Sequence, residues 1–176
     1  MLRSVNVGGR NRLAMTDLRE LVSSLGFGDV STYVQSGNVI FSGTGSGPAV
    51  ARTIGSRLAV DLGLDVAVLV RTAPQLRAVL SGNPFSDTEF DPRTIHVTFL
   101  ADRPEPGKVG ALVALAGQSG DDRFEIGDRH VYLHCPGGYG NTTLNNTYLE
   151  RRLDVTATTR NWRTVTTLAG LAGVEH

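Results

Sequence analysis

The chain is poor in cysteine, in aromatic side chains, in long apolar runs and in net charge, and each shortage removes a class of function. Cys135 is the only cysteine of 176 residues, so an internal disulfide and a cysteine-based zinc cluster are excluded, and the usage fits a reducing compartment. The N-terminus, MLRSVNVGGR, has no apolar stretch long enough for a signal peptide. No segment approaches the roughly 20 apolar residues that cross a bilayer, so the expected location is the cytoplasm, without membrane contact. Lys plus Arg number 17 and Asp plus Glu number 17. Such a balance gives no global field toward DNA, RNA or an anionic membrane, which argues against nucleic acid as a partner. No Gly-Lys-Ser/Thr closes a phosphate loop and no third glycine completes a dinucleotide fingerprint. No Ser-His-Asp order, paired carboxylates or nucleophile elbow stands out, so the sequence specifies neither a catalytic residue nor a cofactor, and it leaves the oligomeric state open.

What is present is a regular alternation of strand and helix signals. A first apolar run ends in Asn6-Val7-Gly8-Gly9, and Thr16 to Leu25 follows with Leu18, Leu21, Val22 and Leu25 at helical spacing before the stop at Gly26. Val30 to Gln35 and Asn38 to Phe41 read as a hairpin turning at Ser36-Gly37. A Gly/Ser-rich loop leads to a helix ending near Gly63, and Val66 to Val70 reads as a strand. Thr72 to Gln75 is a capping box that starts a bridging helix. Strand Thr94 to Leu100, helix Lys108 to Ala116, the hairpin of Phe124 to Ile126 with Arg129 to Cys135, and helices from about Thr142 and Arg160 complete the chain. The expected fold is α+β: two successive ferredoxin-like (βαββ-type) units with antiparallel sheets and C-terminal helices, divided into residues 1–72 and 73–176.

Two-residue turns predict the faces of both hairpins. At Ser36-Gly37, Val34 faces Val39 and Thr32 faces Phe41, leaving Tyr33, Gln35, Asn38 and Ile40 on the other side. At Gly127-Asp128, Phe124 faces Val131 beside Leu133 and Cys135, while Glu125, His130, Tyr132 and His134 share the second face. Each hairpin thus offers an apolar side to helices and a polar-aromatic side away from them. The polar sides serve either packing between the units or a cleft between them.

The segments Leu2-Arg3-Ser4-Val5-Asn6-Val7-Gly8-Gly9-Arg10-Asn11, Tyr33-Val34-Gln35-Ser36-Gly37-Asn38-Val39-Ile40-Phe41, Asn83-Pro84-Phe85 and Ala157-Thr158-Thr159-Arg160-Asn161-Trp162-Arg163-Thr164-Val165 resemble, in order, the signature segments of the DUF1697 family. The resemblance implies a bacterial-type cytoplasmic protein with a two-part α+β fold and no agreed biochemical activity. The chain departs from the family pattern in three places: members have a longer first strand ahead of the Leu-Arg pair, Gly-Ile-Asn where this chain has Ser4-Val5-Asn6, and Ser-Lys-Leu where it has Thr142-Thr143-Leu144. Without that lysine a phosphate site in the later glycine-rich turn loses its cation.

Three constellations have functional and structural readings side by side. Asn6 to Arg12 leaves a strand with paired glycines that allow close backbone approach and arginines able to fork onto phosphate or carboxylate; the alternative is a tight turn with solvated arginines. Cys135 to Thr143 is a glycine-rich entry to a helix that Asn141 or Thr142 would cap, suited to an anion or to turn geometry alone. Thr158 to Arg163 brings two arginines, an amide and the only tryptophan together, either to stack a planar ligand or to anchor the last helix, with Thr158 or Thr159 as its cap and Arg160 on a carboxylate. His130 and His134 lie roughly 13 Å apart along one strand, at about 3.3 Å per residue, which disfavours a shared metal. Glu125 opposite His130 reads as an ion pair, and Cys135 as a buried, inert thiol.

The leading expectation is a small anionic or phosphate-bearing ligand held between the two halves. Its candidate residues are Arg3, Asn6, Gly8, Gly9, Arg10, Tyr33, Gln35, Ser36, Asn38, Arg160, Asn161 and Trp162. An RNA-binding module is the alternative that a ferredoxin-like sheet suggests, but the open face offers only Ser4, Asn6, Asn38 and Ile40, not stacking aromatics. A non-catalytic interaction scaffold is the third reading.

Overall fold

The computed structural model describes residues 1–9, 11–86, 89–115 and 120–174. Among them the fold is α+β, with six helices and two antiparallel sheets of two and four strands. The chain divides into two compact units: Met1–Gln75 together with the chain from Leu168 onward, and Leu76–Thr167. None of the described helices is long and apolar enough to cross a membrane.

The first unit is organised by two amphipathic helices. Helix α1 (Met15–Ser24) buries Met15, Leu18, Leu21 and Val22, and Gly26 at φ 85° ends it. Strands β1 (Gly28–Tyr33) and β2 (Asn38–Ser42) form the hairpin, and α2 (Gly47–Leu62) follows, capped by Ser46, whose Oγ accepts the Ala49 N–H. Val50, Ile54 and Leu58 recur every fourth residue on α2 and join the α1 residues in one core, with Val39 and Phe41 packed against it.

The hairpin departs from the two-residue turn. Tyr33 pairs with Asn38, Thr32 with Val39 and Ser31 with Ile40, so the loop is Val34 to Gly37. The reason is Asn38, which is wholly buried and donates from Nδ2 to the Tyr33 carbonyl (3.2 Å) and to Ser36 Oγ (2.9 Å), tying the loop from inside. A shift of two residues preserves which face each side chain takes, so the expected apolar side survives the wrong register. Val34 instead enters the loop, exposed and at φ 51°, a conformation that β-branched residues rarely adopt.

The outer strands expected at Leu2 and at Val66 to Val70 shrink to one bridge, Leu2 to Val68, flanked by Arg3 N–H to the Ala67 carbonyl and Leu69 N–H to the Met1 carbonyl. Pairing stops because Ser4 and Asn6 turn left-handed, at φ 55° and 56°. The Leu2 amide bonds the Gly37 carbonyl, and a side chain at Gly37 would meet Leu2 Cβ at 2.9 Å, so that glycine is needed both for its φ of 73° and for the approach.

Helix α3 (Ala73–Ser81) begins at the expected capping box, with Thr72 Oγ1 and Gln75 Oε1 each accepting the other residue's backbone N–H. In the second unit β3 (Ile95–Leu100), α4 (Pro106–Val113), β4 (Arg123–Ile126), β5 (His130–His134), α5 (Asn146–Leu153) and β6 (Ala157–Asn161) build a sheet of order β4-β5-β3-β6. The helix expected over Lys108 to Ala116 is observed as α4; Ala116 itself lies outside the described residues. Leu112, Leu149 and Leu153 of the two helices pack on Leu100, Val131, Leu133, Cys135 and Ala157.

Here too the register is shifted by two. Phe124 faces Leu133 and Glu125 faces Tyr132, so the expected Glu125–His130 pair does not form. The Gly127 amide bonds the His130 carbonyl at 2.8 Å, moving the turn to Asp128-Arg129. The His130 ring occupies the space a side chain at Gly127 would need. On the second face Tyr132 is buried and its hydroxyl donates to the Val79 carbonyl of α3 (2.9 Å), while His134 packs on Phe90 (4.8 Å) and Phe85 (5.8 Å).

The last helix starts later than its sequence suggests. Ala157 to Asn161 is an edge strand paired to β3, and α6 (Trp162–Leu171) is capped by Asn161, whose Oδ1 accepts the Thr164 N–H at 2.8 Å. Thr158 and Thr159 are therefore ladder residues, not caps.

Two outcomes follow from this core. Leu133→Ala, at a fully buried position, lowers unfolding stability by about 2–5 kcal/mol in urea, whereas exposed Glu125→Ala stays within about 0.5 kcal/mol. Burial holds His96 and His134 below the ordinary value of 6.5, so the unfolded chain takes up protons first. Stability is then greatest above that value and falls as pH drops through it; melting temperatures near pH 7.5 and about 5.5 differ less in the double variant His96→Gln/His134→Gln than in the parent.

Candidate functional site

The loop after Leu2 is rich in left-handed residues: Ser4, Asn6, Gly8, Gly9 and Asn11 have φ between 48° and 74°. Asn6 makes this tolerable, since a short amide both accepts the left-handed conformation and bonds locally. Its Nδ2 donates to the carbonyls of Leu13 and Gln35, each at 2.8 Å, and its Oδ1 accepts the Leu13 N–H at 2.9 Å. Asn11 closes the turn by donating from Nδ2 to the Ser4 carbonyl at 3.1 Å. The loop is thereby fastened at once to the start of α1 and to the tip of the β1–β2 hairpin.

Beside this fastening lies an open concavity of about 430 Å³, lined by Asn6, Gly9, Arg12, Leu13, Ala14 and Gln35. Three of its residues, Asn6, Gly9 and Gln35, are candidates on sequence; Arg12 is not, because spacing alone does not separate it from the other arginine of the basic turn. A side chain at Gly9 would meet nothing within 4 Å, so its backbone is open to an incoming group. Arg12 and Gln35 are exposed, and Arg12 has no ion-pair partner among the described residues.

The other early candidates are placed elsewhere. Arg3 donates to Ser4 Oγ at 3.1 Å, and Asn38 with Ser36 belongs to the hairpin's internal bonding. Gly8 and Tyr33 do not line the concavity, and Arg10 lies outside the described residues.

A second concavity, about 490 Å³, belongs to the other unit and is lined by Pro92, Arg93, Asn161, Trp162, Arg163 and Thr166. It gathers the late candidates Asn161 and Trp162, but not Arg160. That arginine is 9 % exposed and turns back on its own strand, donating to Thr158 Oγ1 (2.9 Å) and the Thr159 carbonyl (2.8 Å). Burial draws its pKa down to about 10, as fits an interior residue. Arg93 forks onto Asp91 with contacts of 2.7–3.1 Å, which hold that carboxyl below its usual range.

The glycine-rich turn after β5 has a different occupation from the one its glycines suggest. Thr142 donates to the Asp122 carboxylate and accepts the Leu144 N–H, and the cap of α5 is Asn145, whose Oδ1 accepts the Tyr148 N–H at 3.0 Å. A carboxylate already stands at this turn, which opposes a second anion. Cys135 beneath it is wholly buried, and desolvation pushes its thiol up to about 11, leaving it protonated and inert. Among the described residues no three His, Cys, Asp or Glu side chains stand close enough to hold a metal ion.

One interior network had no sequence signal. Thr159 Oγ1 donates to Asn146 Oδ1 (2.7 Å) and accepts from Tyr139 (3.0 Å) and Thr98 (2.7 Å), while the His96 ring stacks on Tyr139 at 4.9 Å. Its members come from β3, β6, α5 and the turn before it, so only the sheet brings them together.

Asn6 is the residue on which the first concavity rests. Asn6→Ala leaves the Leu13 amide and two carbonyls without their partner and puts alanine at positive φ; the expected loss in urea unfolding is about 1–3 kcal/mol.

Comparison with known proteins places this geometry in a family. No curated protein matches the sequence. A conserved bacterial protein from Streptococcus pneumoniae, of known structure, shares the fold with a TM-score of 0.71 at 22% identity, the match covering 98% of this chain and 96% of that one. The family model described as "Protein of unknown function (DUF1697)" matches residues 1–132, and the chain belongs to that family.

Proposed function

We propose that the protein binds a small anionic or phosphate-bearing ligand in the concavity at the start of α1. The observation that carries this reading is the lining itself: an arginine, a carboxamide and an open glycine backbone converge, and no carboxylate lines the space. Arg12 supplies the fork for an anionic oxygen, Gln35 an orienting amide, and Gly9 a backbone that a ligand can approach closely. Asn6 acts as a positioning residue, its amide fully engaged in holding the loop to Leu13 and Gln35. Arg10 adds a second cation to the same turn in the sequence. The reading includes a cytoplasmic location, where a single reduced cysteine is at home. It also takes β3 to β6 with α4 and α5 as a ferredoxin-like unit, supported by the order β-α-β-β-α-β.

Thermal unfolding with inorganic phosphate and with glucose 6-phosphate, anions without an aromatic ring, tests the site. At about tenfold excess over Kd, a ligand raises the parent's melting temperature by about 3–6 °C, and Arg12→Ala abolishes the rise. Equal responses of the two proteins, or none in the parent, overturn the assignment.

A further inference from the structure

We infer that the concavity at the start of α6 is a second binding site, selective for a flat aromatic ring that carries an anionic group. It is lined entirely by residues of the second unit and stands independently of the first site. The argument is an inventory of donors and acceptors. The Trp162 indole N–H has no partner among the described residues, and Arg163, exposed, has no ion-pair partner there. Asn161 uses Oδ1 to cap Thr164 while its Nδ2 remains open. Thr166 spends its hydroxyl proton on the Arg163 carbonyl at 2.9 Å. The open donors therefore come from three adjacent residues, Thr166 is left only as a neutral acceptor, and nothing that lines the space carries negative charge. Arg93 borders it with a guanidinium already committed to Asp91, so the local cation left to a ligand is Arg163.

Charge alone would suit any anion; the indole adds the second criterion. Trp162 is the only tryptophan of the chain, half-buried, at a position where helix initiation asks for no aromatic residue. A half-buried indole beside a free guanidinium favours a planar partner by stacking, with the anion received by the fork of Arg163 and the amide of Asn161. The volume of about 490 Å³ is in the range of small-molecule sites. Asn161 fixes the geometry: it ends β6 and caps α6, so the three donors are held by a strand end and a helix start.

Because Trp162 is the sole tryptophan, its fluorescence reports this site directly. Titration of the full chain with benzoate and with adenosine 5′-monophosphate gives saturable quenching, whichever of carboxylate or phosphate supplies the anion. Cyclohexanecarboxylate, charged but not flat, and inorganic phosphate, charged but without a ring, give at least about tenfold weaker responses. Arg163→Ala, an exposed position whose loss leaves the fold intact by circular dichroism, weakens the aromatic anions about tenfold or more, and Arg12→Ala leaves them unchanged. No saturable change in the parent up to about 10 mM, or equal affinity in Arg163→Ala, overturns the proposal. Loss of the response in Arg12→Ala would assign the binding to the first site instead.

Discussion

A strand buried along its whole length has no water to satisfy its backbone, so both of its edges must be paired, and in this chain β3 imposes that demand. All six residues from Ile95 to Leu100 are buried, and the ladder runs to β5 on one side and β6 on the other. That requirement explains why Ala157 to Asn161 is extended although its Thr-Thr-Arg-Asn run looks like the approach to a helix. Without β6 the second edge of β3 would lose its partners, at a cost per unsatisfied group that no helix cap repays. The same pairing sets where α6 begins, since the strand ends at Asn161 and that residue then serves as the cap. The placement of Trp162 and Arg163 at one surface is a consequence of satisfying β3.

In the first unit the equivalent constraint is concentrated in one amide. Asn6 uses both of its amide donors and its acceptor oxygen on two segments, seven and 29 residues away, and so turns a short glycine-bearing loop into a fixed edge of a concavity. Asn38 does the same inside the hairpin, where its burial selects a four-residue loop over the shorter turn that Ser36-Gly37 suggests. Both residues are carboxamides in places where sequence pattern anticipates ligand contact. Their chemistry is spent on the protein, and the side chains left over for a ligand are their less conspicuous neighbours, Arg12 and Gln35.

What the sequence made legible followed from periodicity. Helices α1, α2 and α3 and the alternation of the two hairpins need only local spacing, and a register error of two leaves facing intact. What it concealed followed from competition between distant groups. The hairpin registers depend on a buried amide in one case and on a histidine ring over Gly127 in the other. The edge strand β6 depends on a partner some 60 residues earlier, and the Thr98–Thr159 contact shows the same separation. Glycines misled in both directions: Gly127 is needed for room and not for its turn, and the Gly137–Gly138 turn stands beside the Asp122 carboxylate instead of an open anion site.

Net neutrality, which removes long-range steering, makes the fate of individual arginines decisive. Arg160 is folded into its own strand, Arg93 is held by Asp91, and Arg57 is paired with Asp61 one turn along α2. Each has already met its electrostatic demand within the chain. An arginine with no such partner at the rim of a concavity differs in kind, because a ligand anion gives it a bidentate partner that water matches only in part. Arg12 and Arg163 are in that position, each beside open amides and with no carboxylate lining the same space. A neutral chain can therefore discriminate anions only at short range, by the shape of what surrounds each guanidinium: an open glycine backbone around the first, an indole beside the second.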